Sequence, residues 1–341
     1  MRIGLIYDLH DDYPWLHGDP PDADAEYEPP ETVDALAAAV EALGHEPVRI
    51  GTAHDLLKAL PTLRLDAALT IAEGFGTRNR EAWAPVLLEL VGVPQLGSDA
   101  LTLSLSVDKA WTKDLAQAAG VPTPPYRVYP DVDALDDADL PAPFPLFVKP
   151  RYEGTAKGIT AASRVHTWAA LREQVAWVTE TYRQDALVEA FVMGGGEFTV
   201  AVVGHNPPQA LPVLQRAVET TTRIGLHALE VRGGQEDWPY EVEGTLAPAL
   251  EAHLHALSLR VFHKLSCRDF ARLDFRVDAA GQPWFLEINT LPTFAPDGTF
   301  AIVAELMGQP YPAWLAGVLR QGLVRLGLVP PEAGSDFSAQ R

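Results

Sequence analysis

Cysteine is nearly absent from this sequence. Cys267 is the single cysteine among 341 residues, which excludes an internal disulfide and any metal site built from several cysteines. A lone thiol also fits a reducing compartment. Folding must therefore depend on a hydrophobic core.

Basic residues are scarce as well. Lysine and arginine number 26 against 46 aspartate and glutamate residues, so the net charge is -20. Such a charge repels nucleic-acid phosphates and anionic membrane surfaces. No apolar run approaches the ~20 residues of a membrane span, and the N-terminal run IGLIY is too short for the apolar core of a signal peptide. We expect a cytoplasmic protein that binds neither nucleic acid nor membrane.

The composition, with 47% hydrophobic and 21% charged residues, is typical of a globular protein. The length of 341 residues suggests two or three domains. Short apolar runs alternate with segments of helical spacing in the order RIGLIY, residues 33–43, EPVRI, LLKAL, AALTIAE and EAWAPVLLELVG. This order predicts a parallel sheet covered by helices, with a ligand site beyond the C-terminal strand ends. Tyr7, Asp8 and Glu73 lie at such ends, so we expect this domain to hold a substrate.

One connection in this domain is unusually long. Residues 8–30, here called the acidic loop, far exceed the ~2 to 6 residues common between a strand and a helix. Its aromatic residues Tyr13, Trp15 and Tyr27 favour a lid, whereas its proline, aspartate and alanine content favours disorder. Both interpretations stay open.

The segment RLDFRVDAAGQPWFLEIN, residues 272–289, predicts a β-hairpin, because apolar residues alternate on both sides of a short loop that contains glycine. Pairing Asp278 with Pro283 across the loop places Asp274 opposite Glu287. The same register pairs Arg272 with Asn289, Leu273 with Ile288, Phe275 with Leu286 and Val277 with Trp284. Carboxylates that face each other at about 5 Å destabilise a sheet unless a cation lies between them.

A magnesium ion would offset this repulsion. Mg²⁺ prefers a few carboxylate oxygens and bridges to phosphate oxygens. Asn289 adds a neutral oxygen ligand, and Arg272 adds a cation suited to a nearby anionic group. We therefore predict a metal and phosphate site on this face of the hairpin.

Three lysines stand where proteins commonly hold phosphates. They are Lys109 near a helix start, Lys149 at the end of the strand PLFVKP and Lys157 in the turn EGTAKG. Each alone is consistent with a solvated surface lysine, but together they predict a phosphate site. The turn, residues 153–158, is here called the glycine turn; it matches neither a P-loop nor a Rossmann fingerprint.

Three glycines separate two apolar strands in ALVEAFVMGGGEFTVAVVG, which is consistent with a hairpin or a domain hinge. Exposed hinge backbone offers an N–H and a C=O that can pair with an adenine edge. Glu189 and Glu197 are candidates to accept hydrogen bonds from the adenine amino group and the ribose hydroxyls.

From about Leu96 to Met307, these motifs occur in the order and at the spacings of the ATP-grasp superfamily, and the chain most closely resembles its D-alanine:D-alanine ligase type. The motifs are GSDALTLSLSVDKAWTK, PLFVKP, EGTAKG, LVEAFV with GEFTV, and RLDFRV with FLEINTLP. The resemblance implies that ATP lies between two antiparallel sheets and phosphorylates a carboxylate, and that an amine attacks the acyl phosphate to form an amide. It also implies an α/β fold, α+β within the ATP-grasp part, in which an N-terminal parallel-sheet preATP-grasp domain precedes a two-lobed ATP-grasp domain.

The resemblance implies roles for individual residues. It makes Lys109 and Lys149 contacts of the α- and β-phosphates, and it makes the glycine turn, with Glu153, Gly154, Thr155 and Gly158, a mobile cover over the phosphates. It makes Glu189, Ala190, Phe191 and Val192 the adenine-binding hinge, and Glu197 the ribose ligand. It makes Asp274, Glu287 and Asn289 ligands of two Mg²⁺ ions, with Mn²⁺ as an alternative, and Arg272 the stabiliser of the acyl phosphate.

The expected domains are residues 1–103 for the substrate, 104–192 for the central lobe with the glycine turn, and 193–329 for the C-terminal lobe with the metal site. Residues 330–341 are expected to form a disordered tail. We expect carboxylate and amine substrates that are amino acids. The oligomeric state stays open, with a homodimer as one option.

The sequence departs from the family where D-alanine binds. The family's N-terminal glycine, serine and glutamate signature is absent, and the acidic loop occupies its place. After NTLP, Thr293 replaces a glycine and FAPDGTF replaces a serine–leucine pair, while Thr155 and Ala156 replace two serines of the glycine turn. We expect the nucleotide chemistry to carry over, but not the D-alanine specificity.

Lys157 has two interpretations. The family's tyrosine-bearing loop, whose lysine helps to hold the γ-phosphate, corresponds here to residues 214–234, which contain no tyrosine and only Arg223 and Arg232 as further basic groups beyond Arg216. Lys157 either takes over the γ-phosphate contact when the glycine turn closes or is a solvated lysine at a hairpin tip.

The leading hypothesis is an ATP- and Mg²⁺-dependent ligase that makes a dipeptide or a modified amino acid. The alternatives are a non-catalytic nucleotide-binding module and a phosphotransferase that stops after phosphorylating its acceptor. Retention of Arg272, both phosphate lysines and the three metal ligands argues against the binding module.

Overall fold

The computed structural model describes residues 1–194, 196–216, 218–219, 240–241 and 246–331. Arg223, Arg232 and most of the expected tail, residues 332–341, lie outside this part of the chain. Among the described residues, no helix is both long and apolar enough to cross a membrane.

The N-terminal part forms the predicted parallel sheet with helices. Its elements are β1 (Arg2–Ile6), α1 (Pro30–Ala42), β2 (Glu46–Gly51), α2 (Ala53–Ala59), β3 (Ala67–Thr70), α3 (Trp83–Leu90), β4 (Gln95–Leu96) and α4 (Ala100–Val107). The strand order is β2-β1-β3-β4, with every pair parallel. Helix α1 begins at Pro30, because a first helical residue needs no backbone N–H, and it buries Val33, Leu36 and Val40.

The central part forms a separate antiparallel sheet. Its elements are α5 (Lys109–Ala118), β5 (Tyr126–Tyr129), β6 (Leu146–Pro150), β7 (Arg164–Val165), α6 (Trp168–Tyr182) and β8 (Ala186–Ala190). The strand order is β5-β8-β6-β7. The glycine turn lies in the connection between β6 and β7, at one end of this sheet.

A second antiparallel sheet follows. Its elements and the helices around it are β9 (Glu197–Val203), β10 (Gln209–Ala210), β11 (Leu214–Arg216), β12 (Val218–Glu219), β13 (Tyr240–Glu241), α7 (Pro248–Lys264), β14 (Phe270–Val277), β15 (Pro283–Asn289), α8 (Thr299–Leu306) and α9 (Tyr311–Arg325). The strand order is β10-β9-β14-β15, β11 also pairs with β9, and β12 pairs with β13.

One hydrophobic core joins the first and last parts of the chain. Ile3 of β1 and Leu36 of α1 belong to the same buried cluster as Phe294, Phe300 of α8 and Trp314 of α9. The large buried apolar area fixes the N-terminal sheet against the C-terminal lobe. Glu73, just beyond the end of β3, lines one cleft together with Arg272 of β14 and Asn289 of β15.

The expected domain boundaries stay predictions. The boundary between residues 103 and 104 falls inside α4, whereas the boundary between residues 192 and 193 falls in the link between β8 and β9.

Candidate active site

A cleft separates the two antiparallel sheets. Its lining includes Phe147 and Lys149 of β6, Glu189 of β8, Glu197 of β9, Asp274 of β14, Glu287 of β15 and hinge residues Ala190, Phe191 and Val192. The structure therefore brings together side chains from the predicted adenine, ribose, phosphate and metal sites, which are separated by more than a hundred residues in the sequence.

Asp274 and Glu287 lie opposite each other on β14 and β15, as the hairpin motif predicts. The neighbouring pairs Arg272 with Asn289 and Leu273 with Ile288 are also confirmed. The metal-site prediction thus rests on the correct pairing of these residues.

Beyond Asp274 the predicted register is wrong, because a β-bulge shifts β15 by one residue. Phe275 lies opposite Phe285 rather than Leu286, and Val277 lies opposite Pro283. Leu286 is the extra residue of the bulge, without a partner on β14, and it lines the cleft beside Glu287.

Asp278 consequently does not pair with Pro283. Its carboxylate accepts hydrogen bonds from the N–H groups of Ala280 and Gln282 and from the indole of Trp284, at 2.9 Å each. The carboxylate therefore closes the turn instead of extending the strand ladder.

The carboxylate of Asp274 is buried and already has hydrogen-bonding neighbours. The Thr199 hydroxyl donates to Oδ1 at 2.6 Å, and Arg272 Nη2 lies 3.2 Å from Oδ2. Asn289 Oδ1 accepts the Leu291 N–H at 2.8 Å, which fixes the orientation of its amide. These contacts orient the oxygen atoms on one face of the hairpin.

Among the described residues, no group of three His, Cys, Asp or Glu side chains is arranged to hold a metal ion. The set formed by Asp274, Glu287 and Asn289 has two carboxylates and one amide. These hard oxygen donors fit Mg²⁺, which commonly completes its coordination with water and substrate phosphates.

Arg272 has an unsatisfied group in the same place. Its Nε is buried and has no hydrogen-bond partner among the described residues, although its Nη2 contacts Asp274. A buried guanidinium N–H without an acceptor is costly, and an anionic oxygen would satisfy it.

Lys109 and Lys149 are both buried, so neither is a solvated surface lysine. Lys109 is the first residue of α5; its ammonium donates to the Glu153 carbonyl and lies 3.7 Å from Glu287 Oε2. Lys149 Nζ lies 2.8 Å from Glu189 Oε1. Lys109 thus lies beside the predicted metal ligand Glu287, and Lys149 lies beside Glu189.

The sequence analysis missed Lys113. Its fully buried ammonium lies 2.6 Å from Glu189 Oε2 and donates to the Thr123 hydroxyl at 2.8 Å. Burial lowers the pKa of Lys113, and the Glu189 carboxylate opposes that shift. Lys113 follows Lys109 by four residues on α5, so helical spacing was the available signal.

The predicted ribose ligand also has a partner that was missed. Arg276 Nη1 lies 2.6 Å from Glu197 Oε1, and its Nε donates to the Val192 carbonyl at 3.2 Å. At the hinge, the Phe191 N–H donates to the Pro145 carbonyl at 3.2 Å. The predicted adenine and ribose ligands therefore already have partners within the chain.

Lys157 is not the solvated lysine of the alternative interpretation. Its largely buried ammonium lies 2.7 Å from Glu153 Oε2 and 3.4 Å from Glu26 Oε2 of the acidic loop. Despite burial, Glu26 and Glu153 raise the pKa of Lys157, so the side chain stays charged. Its predicted contact with the γ-phosphate stays a prediction.

Arg80 was also missed, and it connects three parts of the chain. Its Nη2 lies 2.6 Å from Glu26 Oε1, and its Nη1 donates to the Tyr152 carbonyl at 2.9 Å. Burial raises the pKa values of the neighbouring residues Glu73 and Glu81, and the charge of Glu81 raises the pKa of Glu73 further. This buried pair therefore retains a proton above the usual carboxyl range.

A second cleft, of about 1210 Å³, opens beside the predicted metal ligand Asn289. Glu73, at the end of the N-terminal sheet, lines it together with Glu28 of the acidic loop, Thr155 of the glycine turn, Arg272 and Asn289. The expected substrate region thus meets the predicted phosphate site.

The comparisons with known proteins agree with this geometry. Residues 115–320 match the D-Ala D-Ala ligase C-terminus family. The chain is 31% identical to the D-alanine–D-alanine ligase of Stutzerimonas stutzeri over 291 residues, which cover 85% of this chain and 88% of that protein. The chain belongs to the D-alanine–D-alanine ligase family. The prediction of an ATP-grasp ligase that forms C–N bonds is thereby confirmed.

The ligase also has relatives outside the named D-alanine enzymes. It is 30% identical over 305 residues to an uncharacterised protein of Sinorhizobium fredii, with 84% of this chain and 85% of that protein covered. Membership in the family therefore does not identify the substrates.

Two solved structures share the fold of the ligase with a TM-score of 0.70 each. One is the D-alanine–D-alanine ligase of Bacillus anthracis complexed with ATP, at 21% identity and with coverage of 96% of this chain and 99% of that chain. The other is the VanG D-Ala:D-Ser ligase of Enterococcus faecalis, at 17% identity and with coverage of 94% and 99%. They confirm the predicted fold class.

Proposed function

We propose that the ligase uses ATP and Mg²⁺ to join a carboxylate to an amine through an acyl phosphate, with amino-acid substrates other than two D-alanines. The observation that carries this proposal is the buried, unsatisfied Nε of Arg272 beside the oxygen ligands Asp274 and Asn289. Such an arrangement needs an anion and a cation together, which a phosphoryl group and Mg²⁺ supply.

In this proposal, the metal ligands, the two lysines and Arg272 have different roles in phosphoryl transfer. Asp274, Glu287 and Asn289 hold Mg²⁺, which when bound neutralises charge on the phosphate oxygens. Lys109 and Lys149 bind the α- and β-phosphates, and Arg272 stabilises the oxygens of the acyl phosphate. Such fixed charges act strongly because Lys109, Lys149 and Asp274 are buried.

The nucleotide base lies at the hinge in this proposal. Ala190, Phe191 and Val192 contact the adenine edge, while Glu189, held by Lys113 and Lys149, accepts from the adenine amino group. Glu197 binds the ribose hydroxyls. The glycine turn, with Glu153, Gly154, Thr155 and Gly158, covers the phosphates.

Substrates other than D-alanine are supported by the contacts of Thr293. Its hydroxyl donates to Glu28 Oε2 at 2.9 Å, and Thr32 donates to the same oxygen at 2.7 Å. A buried carboxylate of the protein thus lies beside the segment that corresponds to the family's carboxylate-binding residues. A second amino acid bound as the resemblance implies for the family's second D-alanine, with its carboxylate at this position, would meet like charge, so an amino-acid amine must present its carboxylate elsewhere in this ligase.

A mass-spectrometric screen of amino-acid pairs with ATP and Mg²⁺ tests the proposal. We expect ADP, phosphate and an amide whose mass is the sum of both substrates less one water. A phosphorylated acceptor without amide would indicate a phosphotransferase, and nucleotide binding without any product would indicate a binding module.

A further inference from the structure

The acidic loop contacts the glycine turn through two carboxylates. Glu26 Oε1 accepts the Gly154 N–H at 2.6 Å, and Asp22 Oδ2 accepts the Gly158 N–H at 2.8 Å. These four groups are here called the loop–turn contact. The two carboxylates thus hold both ends of the turn, although they lie more than a hundred residues away in the sequence.

The contact at Asp22 is reinforced from α6. The Tyr182 hydroxyl lies 2.9 Å and 3.0 Å from the two carboxylate oxygens of Asp22. Burial raises the pKa of Tyr182 and Asp22 raises it further, so the hydroxyl remains a donor. A Cβ at Gly158, whose φ is +73°, would lie 2.4 Å from Pro150, so this end of the turn approaches its neighbours closely.

The contact at Glu26 is reinforced by two cations. Arg80 Nη2 lies 2.6 Å from Glu26 Oε1, and Lys157 Nζ lies 3.4 Å from Oε2. Both cations also lie within 4 Å of Glu153 Oε2. Because all four side chains are largely buried, removal of one charge leaves the others poorly compensated.

The same loop reaches the substrate cleft. Glu26, Tyr27 and Glu28 line this cleft together with Thr155 and Arg272. One short segment therefore contacts the cover of the nucleotide site and forms a wall of the substrate site.

We propose that Asp22 and Glu26 are positioning residues that close the acidic loop onto the glycine turn, so that the acyl phosphate meets the amine and not water. The inference rests on the proposed function. In the productive step the amine nitrogen bonds to the acyl carbon, the C–O bond to phosphate breaks, phosphate leaves and the amine releases its proton. With water as the nucleophile, the same cleavage returns the carboxylate and phosphate, and ATP is hydrolysed without amide.

The test compares Asp22→Ala and Glu26→Ala with Asp11→Ala, a substitution of an exposed aspartate on the same loop. Phosphate and amide are measured in one reaction. We expect the phosphate-to-amide ratio to rise about threefold or more in the first two variants, since a closed site protects reactive intermediates. Asp11→Ala is expected to keep the wild-type ratio. Asp22→Leu, which fills the space of the side chain without a hydrogen-bond acceptor, serves if Asp22→Ala does not fold.

Hydrogen exchange at the Gly154 and Gly158 amides gives a readout that does not depend on activity. Faster exchange in the alanine variants supports the loop–turn contact, and unchanged exchange overturns it while leaving the proposed function intact. If exchange is faster but the phosphate-to-amide ratio stays at the wild-type value, the proposed role of Asp22 and Glu26 in directing the acyl phosphate to the amine, here called the coupling role, is wrong. Wild-type protein that yields no amide with any pair overturns the proposed function and, with it, the coupling role.

Discussion

Lys113 Nζ lies 2.6 Å from Glu189 Oε2, while Lys149 Nζ lies 2.8 Å from the other oxygen of the same carboxylate. All three side chains are buried. Two cations therefore fix the orientation of the Glu189 carboxylate, which lines the cleft between the two antiparallel sheets, and only one of the two lysines was recognisable from its motif.

Lys113→Met is expected to weaken ATP binding and to destabilise the fold. Breaking a buried ion pair by removing one partner costs about 3 kcal/mol or more. Calorimetry or denaturant unfolding measures the stability, and ATP titration measures the affinity. The matched control is Lys58→Met, because Lys58 is exposed. Unchanged stability and ATP affinity in Lys113→Met would show that Lys113 does not orient Glu189.

Glu287→Gln is expected to lower turnover on the order of a hundredfold or more, with the fold retained. The amide keeps the shape of the side chain but removes the charge that we propose binds Mg²⁺. The substitution also removes the ion pair of Glu287 with Lys109, whose charged atoms are 3.7 Å apart, and we expect this to affect stability much less than turnover. Amide formation is measured across a Mg²⁺ titration, with the exposed Glu305→Gln as control. Wild-type turnover at saturating Mg²⁺ would contradict the metal assignment.

The hairpin shows how much of the site can be predicted from the sequence. The opposition of Asp274 and Glu287 was predicted with the wrong turn pairing, and a bulge at Leu286 offsets that error. The apolar run from Trp284 to Leu286 carries no clear alternation, so the sequence pattern could not locate the bulge.

Other parts of the site had weaker sequence signals or none. Lys113 shares a helix face with Lys109, but spacing alone does not distinguish a buried lysine from an exposed one. Arg80 had no local signal, because Glu26 and the Tyr152 carbonyl lie 54 and 72 residues away in the chain. The acidic loop could not be assigned from composition, since its role depends on these distant contacts.

Glu81→Gln is expected to lose less folding stability than the wild type as the pH rises. The raised pKa values mean that Glu73 and Glu81 bind more protons in the folded state than in the unfolded state. The stability they contribute is therefore present below the ordinary carboxyl pKa near 4.5 and is lost as the pH rises through the folded values. Glutamine has the shape of the protonated glutamate and stays neutral at every pH in this range. Melting temperatures between pH 5 and 8 check this, with the exposed Glu89→Gln as control; parallel curves for wild type and Glu81→Gln would contradict it.

Cys267 is expected to resist thiol reagents in the folded ligase. The side chain is buried, and burial raises the pKa of its thiol to about 12, so little thiolate forms near neutral pH. Reaction with a colorimetric disulfide reagent at pH 8 should be slow in buffer and should consume one thiol in denaturant. Rapid labelling of the native protein would show that this region opens readily.

Lys157→Met is expected to lower kcat more than it raises the KM for ATP, while ADP affinity hardly changes. The Lys157 ammonium lies between Glu153 of the glycine turn and Glu26 of the acidic loop. The γ-phosphate of ATP can therefore bind this ammonium only by competing with the two carboxylates. A γ-phosphate contact gains strength as charge redistributes during transfer, and ADP has no such phosphate to contact. Steady-state rates and ADP binding are measured for this variant and for Lys58→Met.

The alternative is that Lys157 only balances the charge of the two carboxylates. Among the described residues, methionine would then leave Glu26 and Glu153 with Arg80 as their remaining cation, and the loop–turn contact would weaken whichever nucleotide is bound. That outcome predicts equal losses for ADP and ATP, a lower melting temperature and a kcat close to wild type. Because a role in transfer lowers kcat selectively and charge balance does not, the comparison of ADP affinity with kcat separates the two roles in a single variant.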